Sequence, residues 1–494
     1  MFYEFLIKIT NPIILMSIIL LIGICIILFI SDKEIHKLRL VALITSCFVF
    51  LISVFVWILF CSKTSFFQFS TTLFLIPYLN LNYIVGLDGI SLFFLILTTF
   101  LIIICILVSW SSTHYFLKEY LICFLILEFC LIQVFCVLDL FLFYIFFESI
   151  LIPMFLIIGI WGSRNRKIRA AYQFFLYTLI GSFFMLVSII YIYFLTGTTD
   201  LQILWFTNFR EDLQLILWLA FFISLAVKIP MIPFHIWLPE AHAEAPTAGS
   251  VILAGVLLKL GGYGFLRFTL PLFPFATIYY TPIIFILSVI AVIYGSLTTL
   301  RQIDLKKIIA YSSIAHMGFV TLGIFSLNIQ GLEGSLILML SHGLVSSALF
   351  LCVGILYDRY KTRILKYYSG LVIIMPIFVI FFIFFTFSNI GFPGTSGFIG
   401  EFLVLLGVFN INFIITFFCS TGIILSAGYS IWLVNRISFS YLTIFYFNNF
   451  QDISRREFFI LIILVILVIW MGIFPNSFLN EIHFTMLNLL ENFF

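Results

Sequence analysis

Six ionisable side chains sit in stretches where an apolar chain has least reason to place them. Glu148 stands in LFLFYIFFESILIPMFLIIG, Lys228 lies two residues before Pro230, and Lys259 is central in VILAGVLLKLGGYG. His316 lies in IIAYSSIAHMGFV, His342 in LMLSHGLVSSALF, and Glu401 follows the glycine-rich run GFPGTSGFIG. An ammonium near the centre of a bilayer costs roughly 2.5–3.5 kcal/mol on insertion scales, so each such lysine needs a partner or a task. The task these residue types suit is proton transfer. Apolar surroundings disfavour the charged form of a lysine or a carboxyl, and an opposite charge restores it. A Glu148–Lys228 pair would hold Lys228 protonated, and separating the pair would let it release its proton. Histidine, with an unperturbed pKa of about 6.5, suits intermediate steps. Taken singly, each group could serve only helix packing through a structural ion pair or hydrogen bond; taken together they read as a proton path. Glu128 and Asp139 read as packing and end-of-helix residues.

The elements that must position these groups are membrane helices. The chain has 494 residues, 64% hydrophobic and only 9% charged, which excludes a soluble domain of this length. Apolar runs of about 20 residues match one helical crossing of a roughly 30 Å hydrocarbon layer, and about fourteen can be counted. The fold class expected is therefore all-α and polytopic, with the fifth crossing near 139–161, the eighth near 247–269, the tenth near 306–327 and the eleventh near 333–357. Two crossings should be broken. In the seventh, near 213–238, Pro230 and Pro233 remove backbone donors just beyond Lys228. The twelfth, near 371–409, is too long for one straight span and contains NIGFPGTSGFIG. The stretch 63–88 reads as a long connection in the interface.

The two breaks lie five crossings apart, and an odd offset inserts two five-helix units in opposite orientation, as in inverted-repeat transporters. The expected organisation is three N-terminal helices (1–112), a first antiporter-like repeat (113–270), a second inverted repeat (271–440), and a C-terminal helix and tail (441–494). Charge placement supports the count. Loops leaving odd-numbered crossings hold most of the basic residues, among them Arg164, Arg166, Lys167 and Arg169, then Arg301, Lys306 and Lys307, then Arg359, Lys361, Arg363 and Lys366. The opposite side holds only Lys8, Lys63, Arg210 and Arg267. On this count Lys228 and Lys259 are the only basic residues outside the loops and the N-terminal end.

Other chemistry lacks its motifs. The nine cysteines form no CxxC pair, so iron–sulfur and zinc spacings are missing. PFHIWLPEAHAEAP offers His235, Glu240, His242 and Glu244 without a known metal-ligand spacing, and it reads as the connection between two helices. GFPGTSGFIG lacks the Gly-Lys-Ser/Thr of a phosphate loop, and there is no dinucleotide fingerprint. No redox centre and no metal is expected in this chain, and nothing suggests nucleic acid as a partner.

Four long motifs carry a family resemblance: LPEAHAEAPTAGSVILAGVLLKLGGYGFLR (238–267), LRQIDLKKIIAYSSIAHMGFVTLGIFSLNIQG (300–331), LSHGLVSSALFLCVGILYDR (340–359) and PGTSGFIGEFL (393–403). They resemble the subunit 4 family of mitochondrial NADH dehydrogenase, the antiporter-like core membrane subunits of respiratory complex I. The resemblance runs from about Tyr78 to Phe474. It implies helices four to eight and nine to thirteen as inverted repeats. It also assigns proton-path roles to Glu148, Lys228, Lys259, His316, His342 and Glu401, the glutamate at the last position favouring subunit 4 over its siblings. It further implies a proton-translocating subunit of the mitochondrial inner membrane, basic loops toward the matrix, in which a proton moves through Lys259 toward Glu401. FMN, iron–sulfur clusters and ubiquinone would belong to partner subunits, and the chain's neighbours would be other membrane-arm subunits, sibling antiporter-like ones among them, and membrane lipids. A subunit of a multi-subunit sodium/proton antiporter is the competing reading.

Overall fold

The computed structural model describes residues 11–76, 80–113, 115–441 and 451–491; Lys8, counted above, lies outside them. The described chain is almost entirely helical. Twelve helices among the described residues are long and apolar enough to cross a membrane. They are α1 (Pro12–Phe29), α2 (Ile35–Leu59), α3 (Gly89–Ser112), α4 (Leu117–Cys136), α5 (Leu140–Trp161) and α6 (Lys167–Thr196), then α9 (Thr247–Leu272), α10 (Pro274–Arg301), α11 (Leu305–Phe325), α12 (Ile329–Tyr360), α15 (Phe413–Phe439) and α16 (Arg455–Ile473). Two pairs of shorter helices stand at the two expected breaks: α7 (Glu211–Lys228) with α8 (Trp237–Glu244), and α13 (Pro376–Ile390) with α14 (Ser396–Phe409). A last helix, α17, spans Asn476–Glu491.

Each break has a local cause. α7 stops at Lys228 because Pro230 and Pro233 have no N–H to offer the carbonyls of Ala226 and Ile229. α13 ends on Gly391, whose φ of +82° is the left-handed conformation that terminates helices, and Gly394 follows with φ +89°. A milder fault lies inside α5. Pro153 cannot bond the carbonyl of Ser149, and the helix divides at Ile150, two residues from Glu148.

The stretch expected as a plain interfacial connection is instead a β-hairpin. β1 (Gln68–Ile76) pairs antiparallel with β2 (Leu81–Leu87), with Thr71 opposite Val85 and Leu73 opposite Tyr83. Its strands carry the β-branched Thr71, Thr72, Ile76, Ile84 and Val85 among Leu and aromatic residues, and Asn80 at the turn takes φ +49°. The hairpin is a local exception to an all-α chain. It is tied down by a bond from the Leu138 N–H to the Ile84 carbonyl, 2.9 Å.

Packing divides the chain into two compact units: Met1–Lys228 with Tyr263–Tyr279 and Glu481–Phe494, and Ile229–Gly262 with Tyr280–Asn480. In the first, α6 packs on α7 and α2 on α3. In the second, α12 is the central helix, packed on α11, on α14 and on the early turns of α9. Lipid-facing helices such as α1, α2 and α15 expose Leu, Ile and Phe, whereas α12 is enclosed along its apolar window. The candidate charges on α9, α11 and α12 are therefore held on helices enclosed by protein.

Candidate functional site

Lys259, His342, His316 and Glu401 form one connected set in the second unit. A π-turn, Leu253–Leu257, immediately precedes Lys259 in α9. The wider turn leaves the Ala254 carbonyl, five residues back, accessible to the side chain, and the Lys259 ammonium donates to it. The same Nζ lies 2.9 Å from His342 Nδ1 on α12. The ring centroids of His342 and His316 on α11 are 5.7 Å apart. His316 Nδ1 in turn lies 3.1 Å from Glu401 Oε1 on α14. Lys259 is fully buried and the other three expose at most 6% of their surface.

Small residues make this approach achievable. A Cβ on Gly400 would fall 2.8 Å from the Leu338 backbone, so α14 can sit against α12 only with glycine there. A Cβ on Gly391 would lie 2.8 Å from Glu401 Oε2, so the break itself leaves room for the carboxylate. Chemically, amine, imidazole, imidazole and carboxylate form a line for a proton: hydrogen bonds join its two ends, and between the rings, where His316 Nε2 has no hydrogen-bond partner, the proton must cross a gap. Each imidazole can accept at one nitrogen and donate from the other.

Glu148 and Lys228 lie together in the first unit but not as a close ion pair. Lys228, 2% exposed, ends α7 with its Nζ over the ring of Phe147, 4.5 Å from the centroid, and without a hydrogen-bond partner. Glu148, half-buried on α5, is within Coulombic range of it, with Ser182 beside it. Glu148 Oε1 is likewise unbonded. The two charges attract without a locking hydrogen bond, as a separable pair requires. Of the two residues set aside above, Asp139 does cap its helix, accepting from the N–H groups of Phe141 and Leu142 at 2.9 Å. Glu128 on α4 is fully buried with neither carboxyl oxygen bonded.

Lys228 and Lys259 are not the only enclosed basic residues. Arg267, placed among the opposite-side loops by the sequence count, is 2% exposed inside α9. Its guanidinium forks onto the Asp88 carboxylate at 2.5 and 2.8 Å, and Nε donates to the Tyr263 hydroxyl at 3.2 Å. Asp88 also caps α3 through the Ser91 N–H. Burial pushes the Asp88 carboxyl upward, but the Arg267 guanidinium and the Ser91 hydrogen bonds outweigh it and hold it below the usual carboxylate range. In the second unit Lys306 and Arg363 are buried as well. The His/Glu hairpin engages these basic groups. Glu240 pairs with Lys307 at 2.6 Å, Glu244 with Arg363 at 3.5 Å, and the Ala245 carbonyl accepts from Lys306 at 2.7 Å. Among the described residues no group of three or more His, Cys, Asp or Glu side chains is placed to hold a metal ion.

A family model described as NADH:quinone oxidoreductase/Mrp antiporter, transmembrane, matches residues 137–475. NADH-ubiquinone oxidoreductase chain 4 of Chondrus crispus is 70% identical over 484 residues, covering 98% of each chain. The chain of the same name from Marchantia polymorpha is 60% identical over 472 residues, covering 96% of this chain and 95% of that one. The chain belongs to the NADH:quinone oxidoreductase/Mrp antiporter family. Within that family it groups with the chain 4 relatives. The fold agrees: a chain of respiratory complex I from Thermus thermophilus with bound NADH aligns with a TM-score of 0.87 and 27% identity, over 97% of this chain and all of that one. A chain of the Mrp complex from Dietzia sp. shares the fold, TM-score 0.81, at 17% identity over 95% of this chain and 52% of that one.

For this antiporter-family chain, the individual charges are legible in the sequence and their bonding is not. Asp88 and Arg267 are 179 positions apart, and no local pattern links them. The signal that existed was Asp88 three residues before Ser91 at the start of an apolar run, a helix cap with an acid to spare.

Proposed function

We propose that this chain is a core membrane subunit of a proton-translocating NADH:ubiquinone oxidoreductase, and that it carries protons through its buried Glu, Lys and His residues. The observation that carries this reading is the linked set Lys259–His342–His316–Glu401, enclosed in an apolar chain with hydrogen bonds at both ends. Four titratable groups in sequence are hard to reconcile with packing alone, since burying each is costly in a membrane. In each transfer the proton leaves the Lys259 ammonium for an imidazole nitrogen and passes over the two rings to the Glu401 carboxylate. The four groups titrate as a coupled set.

Glu148 and Lys228 act as the control. Energy released by electron transfer in partner subunits changes the distance between them, and with it the charge that the half-helices around the break must accommodate. The two broken helices are the cores of two inverted repeats, 113–270 and 271–440. FMN, iron–sulfur clusters and ubiquinone are held by partner subunits, and sibling antiporter-like subunits flank the chain in the membrane. The location is the mitochondrial inner membrane, in keeping with the eukaryotic relatives, and the basic loops face the matrix on the charge asymmetry of the sequence.

The test is co-purification joined to transport. The chain should be recovered in an NADH-oxidising assembly whose NADH-driven proton movement falls at least tenfold in Glu401→Gln. Cation-driven proton exchange by an assembly with no NADH-oxidising partner would contradict the reading and favour a sodium/proton antiporter subunit.

A further inference from the structure

The set of four groups begins abruptly at Lys259, fully buried, and the structure places one further titratable group behind it. His242, on α8 in the His/Glu hairpin, is completely buried. Its ring stacks on Phe350, 4.7 Å between centroids and 6° from parallel, which fixes its plane. Neither ring nitrogen has a hydrogen-bond partner. A buried imidazole with both nitrogens unbonded is costly, because each buried polar group left without a partner loses its hydration and gains nothing in return. Two cationic side chains lie within Coulombic range of it, Lys306 and Lys259, and His342 lies within range as well.

The far end of this arrangement reaches water. Glu240 and Lys307 pair at 2.6 Å with 36% and 26% of their side chains exposed. One helical turn on, the Glu244 side chain is 4% exposed, with one oxygen 3.5 Å from Arg363 and the other unbonded. Lys306 is 2% exposed and donates to the Ala245 carbonyl of the same hairpin. Ionisable groups thus run from the surface through Glu240, Lys307, Glu244 and Lys306 to His242, all within the second unit.

We propose that His242 is the proton-uptake relay of this chain, taking protons from the Lys306–Glu244 cluster at the basic-loop side and handing them to Lys259. In the step, water relays the proton across the gaps that leave both ring nitrogens unbonded: an N–H bond of the Lys306 ammonium breaks and one forms at one imidazole nitrogen. The imidazolium then releases the proton on its other nitrogen to the neutral Lys259 amine. One proton moves inward, no electron is transferred, and the ring is left neutral in its other tautomer. The proposal rests on the reading of Lys259 as a proton carrier.

The experiment compares His242→Gln, Lys259→Ala and the parent chain in the assembled complex in sealed vesicles. It reads NADH-driven proton translocation by a pH-sensitive dye, in H2O and in D2O. His242→Gln should slow translocation at least tenfold and raise its solvent isotope effect, because uptake becomes limiting; a residue with a packing role alone would leave the isotope effect unchanged. Glu244→Gln should slow translocation in the same sense, and carries the test if His242→Gln does not assemble. Parent-level translocation in His242→Gln, or a slowing with unchanged isotope effect, overturns the relay; so does parent-level translocation in Glu244→Gln where it stands in. If Lys259→Ala also translocates at the parent level, the carrier reading itself has failed; if Lys259→Ala is inactive, only the His242 relay has.

Discussion

Gly391 and Gly394 allow the role of Glu401 to be isolated with two single-methyl substitutions. Both glycines hold left-handed backbone, at φ +82° and +89°, so alanine at either should cost about 1–2 kcal/mol of local strain. They differ in what the new methyl meets. At Gly394 nothing lies within 4 Å, whereas at Gly391 the Cβ falls 2.8 Å from Glu401 Oε2. Ordinary van der Waals contact begins at 3.4 Å, so the carboxylate must retreat by about 0.6 Å. A movement of that size is enough to break the 3.1 Å hydrogen bond to His316. Misplacement by about 1 Å in a reacting array can cost on the order of 100-fold, so Gly391→Ala should lower translocation at least tenfold. Gly394→Ala should leave translocation within about twofold of the parent, with a comparable loss of thermal stability in both variants. The assay is NADH-driven proton translocation by the assembled complex, beside a melting curve. Equal translocation by the two variants would refute the reasoning, since the backbone strain is shared and only the contact with Glu401 differs.

Further outcomes follow from the other charges. Asp88→Asn leaves Arg267 buried without a counter-charge and should destabilise the first unit by about 3–5 kcal/mol, seen as loss of assembled protein or a lowered Tm. Asp88 and Arg267 changed together to Asn and Met should recover much of that loss. The folded Asp88 carboxyl lies below its ordinary value, so its contribution is fully present above about pH 4 and is lost only as pH falls through the lower folded value. Stability measured from pH 5 to 8 should therefore show no step from this pair. Phe147→Leu removes the ring beneath the Lys228 ammonium, an attraction of about 0.5–2 kcal/mol, and should alter coupling of translocation to NADH oxidation more than assembly. Asp139→Ala removes two hydrogen bonds at the start of α5 and the one from the buried Thr199 hydroxyl, and should cost about 2 kcal/mol in a melting experiment without abolishing translocation.

The parts of this molecule written in sequence are those with local physical causes. Proline at 230 and 233 and the glycines from 391 to 397 announce the two breaks because each changes what its own backbone can do. Lys259 and Glu401 stand out because a charge in an apolar run is expensive wherever its partner lies. The partners themselves were not legible: His342 is 83 positions from Lys259, and Glu401 is 85 from His316. The opposite charges of Glu148 and Lys228 in apolar runs suggest a pair; the two do attract, without a hydrogen bond, and the Phe147 ring also faces the ammonium. Arg267 was misplaced because a charge at the end of an apolar run reads as a loop until its distant aspartate is known. The pairing of Gln68–Ile76 with Leu81–Leu87 is not legible because a β-branched stretch between membrane helices resembles any apolar connection, and only pairing distinguishes it.

The central claim is that Lys259 carries the proton that this chain moves, and its direct measurement is the number of protons translocated per electron in Lys259→Ala. The assembled complex, oxidising NADH in sealed vesicles, should contain the variant chain at the parent level and translocate markedly fewer protons per electron, or couple none at all to this subunit. An assembled Lys259→Ala complex that translocates the parent number of protons per electron would contradict the account, and would leave the linked set from Lys259 to Glu401 as helix packing.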